Sequence, residues 1–291
     1  MATAKVSSDY FHNMNSQVHE LSHIWDTHRK EVDELIARAS SIISIKQNAI
    51  IVGAGNLNDI TLDFLLNNYD NVKLLDIDEK SLLNVLNRYE GNNVNLNIIV
   101  EDLTGVLSDK FVGEYYEGLL MKDNAKITKI FNDIIVNGIC KKTIFEEKYS
   151  LLIESTVSTQ LGSLFTLCWQ ELNPSPIFEE SIRQLIRMMT KSHLLQLKHG
   201  LDKMGLAVIT SEQYEFGNNL PTVKYIPNPV DMLEENLQSK MESLGHYVRG
   251  RITEDDLIEA DFNIIFRNQW IWRFNEERTY LVKGWVVSRN F

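Results

Sequence analysis

Asn48-Ala-Ile-Ile-Val-Gly-Ala-Gly-Asn-Leu-Asn-Asp59 is the stretch whose reading decides the fold. Ile50, Ile51 and Val52 form a short continuous apolar run, the mark of a strand buried on both faces. Gly53 and Gly55 follow at once, with Ala54 between them, and Asn58 and Asp59 lead into Ile60, Leu62, Phe64, Leu65 and Leu66. The order is strand, glycine turn, helix. Glycines let the backbone turn sharply and approach a ligand where any Cβ would intrude. The helix start offers unpaired N–H groups to a polar or anionic group. The next strand, Val72-Lys-Leu-Leu75, ends on Asp76, 21 residues after Gly55. An acidic residue at that distance, at the tip of the second strand, is where a ribose hydroxyl pair is held.

Two nucleoside cofactors use this geometry. A dinucleotide fold prefers a third Gly or Ala three residues after the second, for close helix–strand packing. Here that place is Asn58, which is too large and polar. Asn97-Ile-Ile-Val100 is a third strand, closed by Glu101-Asp102-Leu103. A carboxylate there can accept a hydrogen bond from an adenine amino group, while the Leu103 N–H faces a ring nitrogen. Glycine turn, Asp76 and Asp102, in that order, resemble a class I S-adenosylmethionine-dependent methyltransferase. The wording Val-Gly-Ala-Gly-Asn-Leu-Asn-Asp is similar to bacterial members with a G-A-G-N-x-N-D turn. The resemblance covers roughly residues 45–211 and the C-terminal hairpin. It implies S-adenosyl-L-methionine as cofactor, with Gly53, Ala54, Gly55, Asn58, Asp76, Ile77, Asp102, Leu103 and Glu154 as its binding residues.

Composition bounds the rest. The chain has 291 residues, 44% hydrophobic and 24% charged, enough for a sizeable core. With 29 basic against 40 acidic residues the net charge is −11. That argues against nucleic acid as a partner, since binding it requires a basic face. Cys140 and Cys168 match no metal spacing and read as thiols in a reducing compartment. The N-terminus has no apolar signal core and no stretch suits a bilayer, so a cytoplasmic protein without membrane contact is expected. The oligomeric state is not legible.

The expected fold is α/β: a doubly wound, mostly parallel seven-stranded sheet with a C-terminal antiparallel hairpin and helical cap elements. Residues 1–40 are expected to form an N-terminal helical cap, and 41–291 a Rossmann-like domain with insertions at about 104–148 and 212–260. Val18, Leu21, Trp25, His28, Val32, Leu35 and Ala39 give residues 9–40 one long apolar stripe. Within it, His19-Glu-Leu-Ser-His23 satisfies the zinc motif H-E-x-x-H, but on a continuous helix both histidines face away from the stripe. No metal is therefore expected. Ile42, Ile43 and Ile45 read as the entry into the sheet. In the 104–148 insertion, Ile127, Ile130, Phe131, Ile134 and Ile135 predict a helix or two. Ser150-Leu-Leu-Ile153 is the fourth strand and Leu206-Ala-Val-Ile209 the fifth, followed by irregular chain over 212–230 and helices over 230–244 and 253–260. Alternation at Phe262, Ile264, Phe266 and at Trp270, Trp272, Phe274, then a turn at Asn275-Glu-Glu277 and a run to Val287, predicts the hairpin. Trp270, Trp272 and Trp285 read as core, with an aromatic substrate cage as the alternative.

The resemblance implies methyl transfer, in which the donor is already activated and the protein chiefly aligns reactants and excludes water. No catalytic residue is assigned. After the fourth strand there is no N/D-P-P-Y/F run of the kind carried by amino-methylating enzymes of DNA and protein amides. A small-molecule acceptor is the first expectation and a protein side chain the second. A nicotinamide-dependent oxidoreductase, an H-E-x-x-H zinc hydrolase and a non-catalytic cofactor-binding protein are the alternatives. Tyr10 and His12 are expected to line the acceptor pocket, on a lid folded back by a break at Asn13-Met-Asn-Ser16.

Overall fold

The structure, a computed structural model, describes residues 5–19, 21–89, 95–137, 144–172, 175–217 and 247–290. Strand β1 (Asn48–Val52) is hydrogen-bonded in parallel to β2 (Asn71–Asp76) on one side and β4 (Tyr149–Ser155) on the other. With β3 (Leu96–Val100), β5 (Leu201–Gly217), β6 (Phe262–Arg273) and β7 (Arg278–Arg289), the order is β3-β2-β1-β4-β5-β7-β6. All neighbours are parallel except β5–β7 and β7–β6, which are antiparallel. The expected sheet, hairpin included, is the one observed.

Side chains alternate across a strand, so β1 divides its apolar residues between two cores. Ile50 and Val52 pack with α5 (Asp109–Met121), α6 (Asn124–Asn137), α7 (Ser163–Leu172) and α8 (Pro176–Gly200). Ala49 and Ile51 pack on the other side with α2 (Asp26–Ile42), α3 (Leu62–Asn68) and α4 (Glu79–Tyr89). The result is three layers, helices on both faces of one sheet. Gly284 of β7 lets α2 approach closely, since a Cβ there would lie 2.4 Å from Leu35 Cδ1.

Several boundaries differ from the sequence reading. Residues 9–40 are not one helix: α1 spans Lys5–His19, a 3-10 turn covers Ser22–Ile24, and α2 begins at Asp26. The expected break at Asn13–Ser16 is absent: α1 runs unbroken through it, and Asn15 bonds outward to Asp78 and Asn56. The chain breaks beyond His19 instead, where Leu21 N donates to Val18 O at 3.0 Å and Trp25 N to Ser22 O at 3.1 Å. Ile42 ends α2 and is exposed, as is Ile45; only Ile43 is buried, and the sheet is entered at Asn48. Strand β5 runs on to Gly217, because β7 pairs with it along its whole outer half down to Arg278. The irregular stretch expected from 212 therefore starts as strand, and the helix expected over 230–244 lies outside the described residues. The helix expected over 253–260 forms as α9 (Glu254–Glu259), opened by a Thr253–Asp256 capping box. No helix among the described residues is long and apolar enough to cross a membrane.

Candidate active site

The parallel strands open at their carboxyl ends into one cavity of about 270 Å³. One half is built by the glycine turn and the tips of β2 and β3. Gly53 and Gly55 have φ of +68° and +46°, a region that disfavours any side chain. A Cβ on Gly53 would also lie 2.1 Å from Val157 Cγ2. The turn is fastened to β2 by its backbone: Gly53 N and Ala54 N donate to Leu75 O at 2.8 and 3.1 Å.

Asp76 completes that junction. Its Oδ2 accepts from Gly55 N and its Oδ1 from Asp78 N, both at 2.8 Å. Burial pushes its carboxyl up to about 6 despite these donors. Each oxygen keeps a further lone pair for a ligand hydroxyl. At the tip of β3, Asp102 Oδ1 accepts from Thr104 N and Thr104 Oγ1 at 2.8 and 2.6 Å, and its Oδ2 from Leu107 N at 2.8 Å. These bonds fold the following loop around the carboxylate. Gly53, Ala54, Gly55, Asn58, Asp76, Ile77, Asp102 and Leu103, all read from the sequence as cofactor residues, line the cavity.

Glu154 does not. Parity along β4 turns it to the same side as Leu152, toward α8. There it is fully buried, accepts from Ser158 N at 2.9 Å and lies 3.6 Å from His193 Nε2. Its neighbour Ser155 lines the cavity instead.

Helix α1 covers this half. Phe11, Met14, Asn15 and Val18 line the cavity, and their spacing of three and four puts them on one helix face. Tyr10 and His12 lie off that face and do not line it, which corrects the sequence reading. Tyr10 packs edge-on against Phe11 at 5.1 Å and joins the core below α5 and α7. His12 Nδ1 sits 3.3 Å from Asp78 Oδ2, the same oxygen that accepts from Asn15 Nδ2 at 2.9 Å. Asn56 Nδ2 donates to Asn15 O at 3.0 Å, so α1 is tied to the glycine turn itself.

The other half is an aromatic chamber. Trp25, Trp272, Phe274 and Tyr280 all line it and interlock at ring separations of 4.9 to 5.7 Å. Trp270, Trp272 and Trp285 are all core, as expected, and Trp272 also borders the cavity. Two carboxylates enter among the rings. Asp59 follows the glycine turn; burial pushes it up to about 7, with Arg29 and Ser155 acting the other way. Glu212 lies on β5 beside a bulge between Glu212 and Tyr214, a device that re-aims side chains. Burial first, then the charges of Asp59 and Glu154, push Glu212 up to about 8, although Thr159 Oγ1 donates to its Oε2 at 2.7 Å. Neither residue was assigned a role from the sequence. A polar Ser211-Glu212-Gln213 directly after the apolar Leu206–Ile209 was the available signal.

Behind Asp59 stands His28, held neutral by burial that pushes it down to about 3. Trp270 Nε1 donates to His28 Nδ1 at 3.0 Å. An indole can only donate, so the histidine proton must sit on Nε2. That nitrogen faces Asp59 Oδ1 across 3.8 Å, too far for a hydrogen bond. His28 Nε2, Asp59 Oδ1 and Trp272 Nε1 are buried with no hydrogen-bond partner among the described residues.

The zinc motif does not assemble on one helix. His19 ends α1 with Nδ1 3.0 Å from Asn58 Oδ1, and His23 sits in the separate 3-10 turn. Among the described residues, no group of three or more His, Cys, Asp or Glu could hold a metal.

No protein-family model and no curated protein matches this chain. Solved structures are similar in fold. An S-adenosylmethionine-dependent methyltransferase from Clostridium acetobutylicum ATCC 824 is 9% identical over 91% of this chain and 94% of its own, with a TM-score of 0.45. The N-methyltransferase NodS from Bradyrhizobium japonicum WM9 is 9% identical over 90% and 96%, at 0.46. A methyltransferase from Aquifex aeolicus is 10% identical over 94% and 97%, at 0.44. Such values establish no shared activity, and the chemistry of the cavity rests on its own residues.

Proposed function

We propose that this chain binds S-adenosyl-L-methionine in the half of the cavity at the glycine turn and transfers its methyl group to a small-molecule acceptor in the aromatic half. The observation that carries this reading is the convergence of Gly53–Gly55, Asp76 and Asp102 on one cavity at the carboxyl ends of β1, β2 and β3. Asp76 would take the ribose hydroxyls, Asp102 and the Leu103 N–H the adenine, and the glycine turn the amino-acid end. When bound, the cofactor supplies an electrophilic methyl group; the protein supplies alignment and exclusion of water. The sheet closes with an antiparallel hairpin, which the resembled methyltransferase fold requires and a plain dinucleotide fold lacks. Asn58 speaks against a dinucleotide as well, since close helix packing at its place needs Gly or Ala.

A small acceptor is favoured over a protein side chain because α1 lies across the cavity, with Phe11 and Asn15 among the residues lining it. We read residues 1–40 as contributing this cover through α1, while α2 packs against the sheet. The test is to supply methyl-labelled S-adenosylmethionine together with a cell extract separated into low-mass and protein fractions. Label should pass to the low-mass fraction. Transfer confined to the protein fraction would point to the side-chain acceptor, and no transfer to either would contradict an enzymatic role.

A further inference from the structure

We propose that the acceptor is an amine whose cationic end is held between Asp59 and Glu212 inside the aromatic chamber; this rests on the methyl-transfer reading and specifies its substrate.

Charge, walls and unused hydrogen-bonding capacity point the same way. Asp59 and Glu212 both line the cavity, and the charge of Asp59 acts on Glu212. The cations nearby are already matched. Arg278 Nε pairs with Glu215 Oε1 at 2.9 Å, and Arg29 Nη1 with Asp26 Oδ1 at 3.0 Å. His28 is neutral and presents only an N–H to Asp59. Among the described residues neither Asp59 nor Glu212 forms an ion pair with a lysine or arginine, although Arg29 acts on Asp59 from a distance and Arg278 also lines the cavity. An ammonium group would supply the direct partner.

The rings suit the same guest. Trp25, Trp272, Phe274 and Tyr280 all line the cavity, and an aromatic wall suits an organic cation better than an anion. Asp59 Oδ1 is buried and unpartnered among the described residues, so an N–H donor from a ligand would satisfy it. His28, 0% exposed, aims its own unpartnered Nε2 at that same oxygen. At 3.8 Å it leaves that oxygen unbonded and free for a ligand.

This arrangement also supplies the proton chemistry. An ammonium nitrogen has no lone pair, so one proton must leave before attack. Glu212 is raised to about 8 on its own, and the ammonium beside it favours the ionised form. As carboxylate it takes that proton and becomes a carboxylic acid, leaving the free amine. The nitrogen lone pair then forms the new N–C bond as the S–C bond breaks. The S–C electron pair stays on sulfur, turning the sulfonium into a thioether, and the product leaves as the methylated ammonium. Glu212 later returns its proton to water.

The experiment uses the full chain and three probes of like shape: benzylammonium, benzyl alcohol and phenylacetate. Each is titrated with and without S-adenosylhomocysteine, following fluorescence of the chamber tryptophans. The cation should bind at least about tenfold more tightly than the alcohol or the carboxylate, and Glu212→Gln or Asp59→Asn should each weaken it by about tenfold. Circular dichroism verifies that both isosteric variants fold. Alcohol or phenylacetate binding as well as the cation, a cation affinity unmoved by both substitutions, or no cation binding overturns the proposal. S-adenosylhomocysteine affinity is read separately in the same titrations. If it binds while the cation arm fails, only the amine is wrong; if it does not bind, methyl transfer is wrong, and the probes alone still decide the chamber.

Discussion

Asp76 Oδ2 accepts the backbone N–H of Gly55 at 2.8 Å, which locks the turn after β1 to the tip of β2. One carboxylate thus shapes the glycine turn and presents its remaining lone pairs to the cavity. Replacing Asp76 with Ala removes both functions. S-adenosylhomocysteine affinity should fall about 10- to 100-fold, the size expected for hydrogen bonds to a charged group. Calorimetry checks this, and a thermal melt of each protein separates lost ligand contacts from a lost fold.

Helix α1 is tied down at both ends. Val6 N donates to Asp109 Oδ1 at 2.8 Å, and Asn15 bridges Asp78 and Asn56 near the other end. Deleting residues 1–19 should leave the sheet folded, because α1 adds only partly buried apolar side chains, Tyr10, Phe11 and Val18, to the edges of the two cores. The dissociation rate of S-adenosylhomocysteine should rise by roughly tenfold once the cover is gone. Stopped-flow measurements read this directly, and an unchanged rate would place the cover elsewhere.

Stability should fall with rising pH because of Glu212. Its folded value, about 8, stands above the ordinary 4.5. Between these values the native state keeps a proton that the unfolded chain has released. This contribution is fully present below about pH 4.5 and is lost as pH climbs through about 8. Asp59, raised from 3.8 to about 7, acts in the same direction. Glu212→Gln should flatten the decline and exceed wild type at pH 8 by about 2 kcal/mol or more. Denaturant melts from pH 5 to 8 measure it.

Close approach at Gly284 gives a packing test. Its absent Cβ would meet Leu35 Cδ1 at 2.4 Å and the Trp270 ring at 2.9 Å. Gly284→Ala should therefore cost about 1–3 kcal/mol through overpacking. A companion Leu35→Val substitution, which makes room, should recover part of that loss in the same melts.

His19 and His23 should bind no zinc of consequence, because they sit on different elements with no third ligand assembled among the described residues. Elemental analysis of protein purified without chelator should find far less than one zinc per chain. Stoichiometric zinc that disappears in His23→Ala would revive the hydrolase alternative.

What was legible in the sequence was short-range. The Ile50–Val52 run, the two glycines and the carboxylates at the tips of β2 and β3 lie within a few residues of the geometry they encode. The hairpin was legible for the same reason, through its alternation. The rest of the site depends on distant partners. Which face of α1 meets the cavity is set by docking on Asp78, Asn56 and Asp109, so Phe11 and Asn15 could not be told from Tyr10 and His12. Glu154 and Ser155 differ only in strand parity, and which side of β4 borders the cavity is a tertiary fact. Glu212 gains its position from a bulge created by pairing with β7, some 70 residues later.

The central claim is tested most directly by titrating the purified chain with S-adenosylhomocysteine and, separately, with NAD in a calorimeter. The account predicts saturable one-to-one binding of S-adenosylhomocysteine, weakened by Asp76→Ala, and no binding of NAD. Binding of NAD in preference, or S-adenosylhomocysteine binding that ignores Asp76, would contradict it.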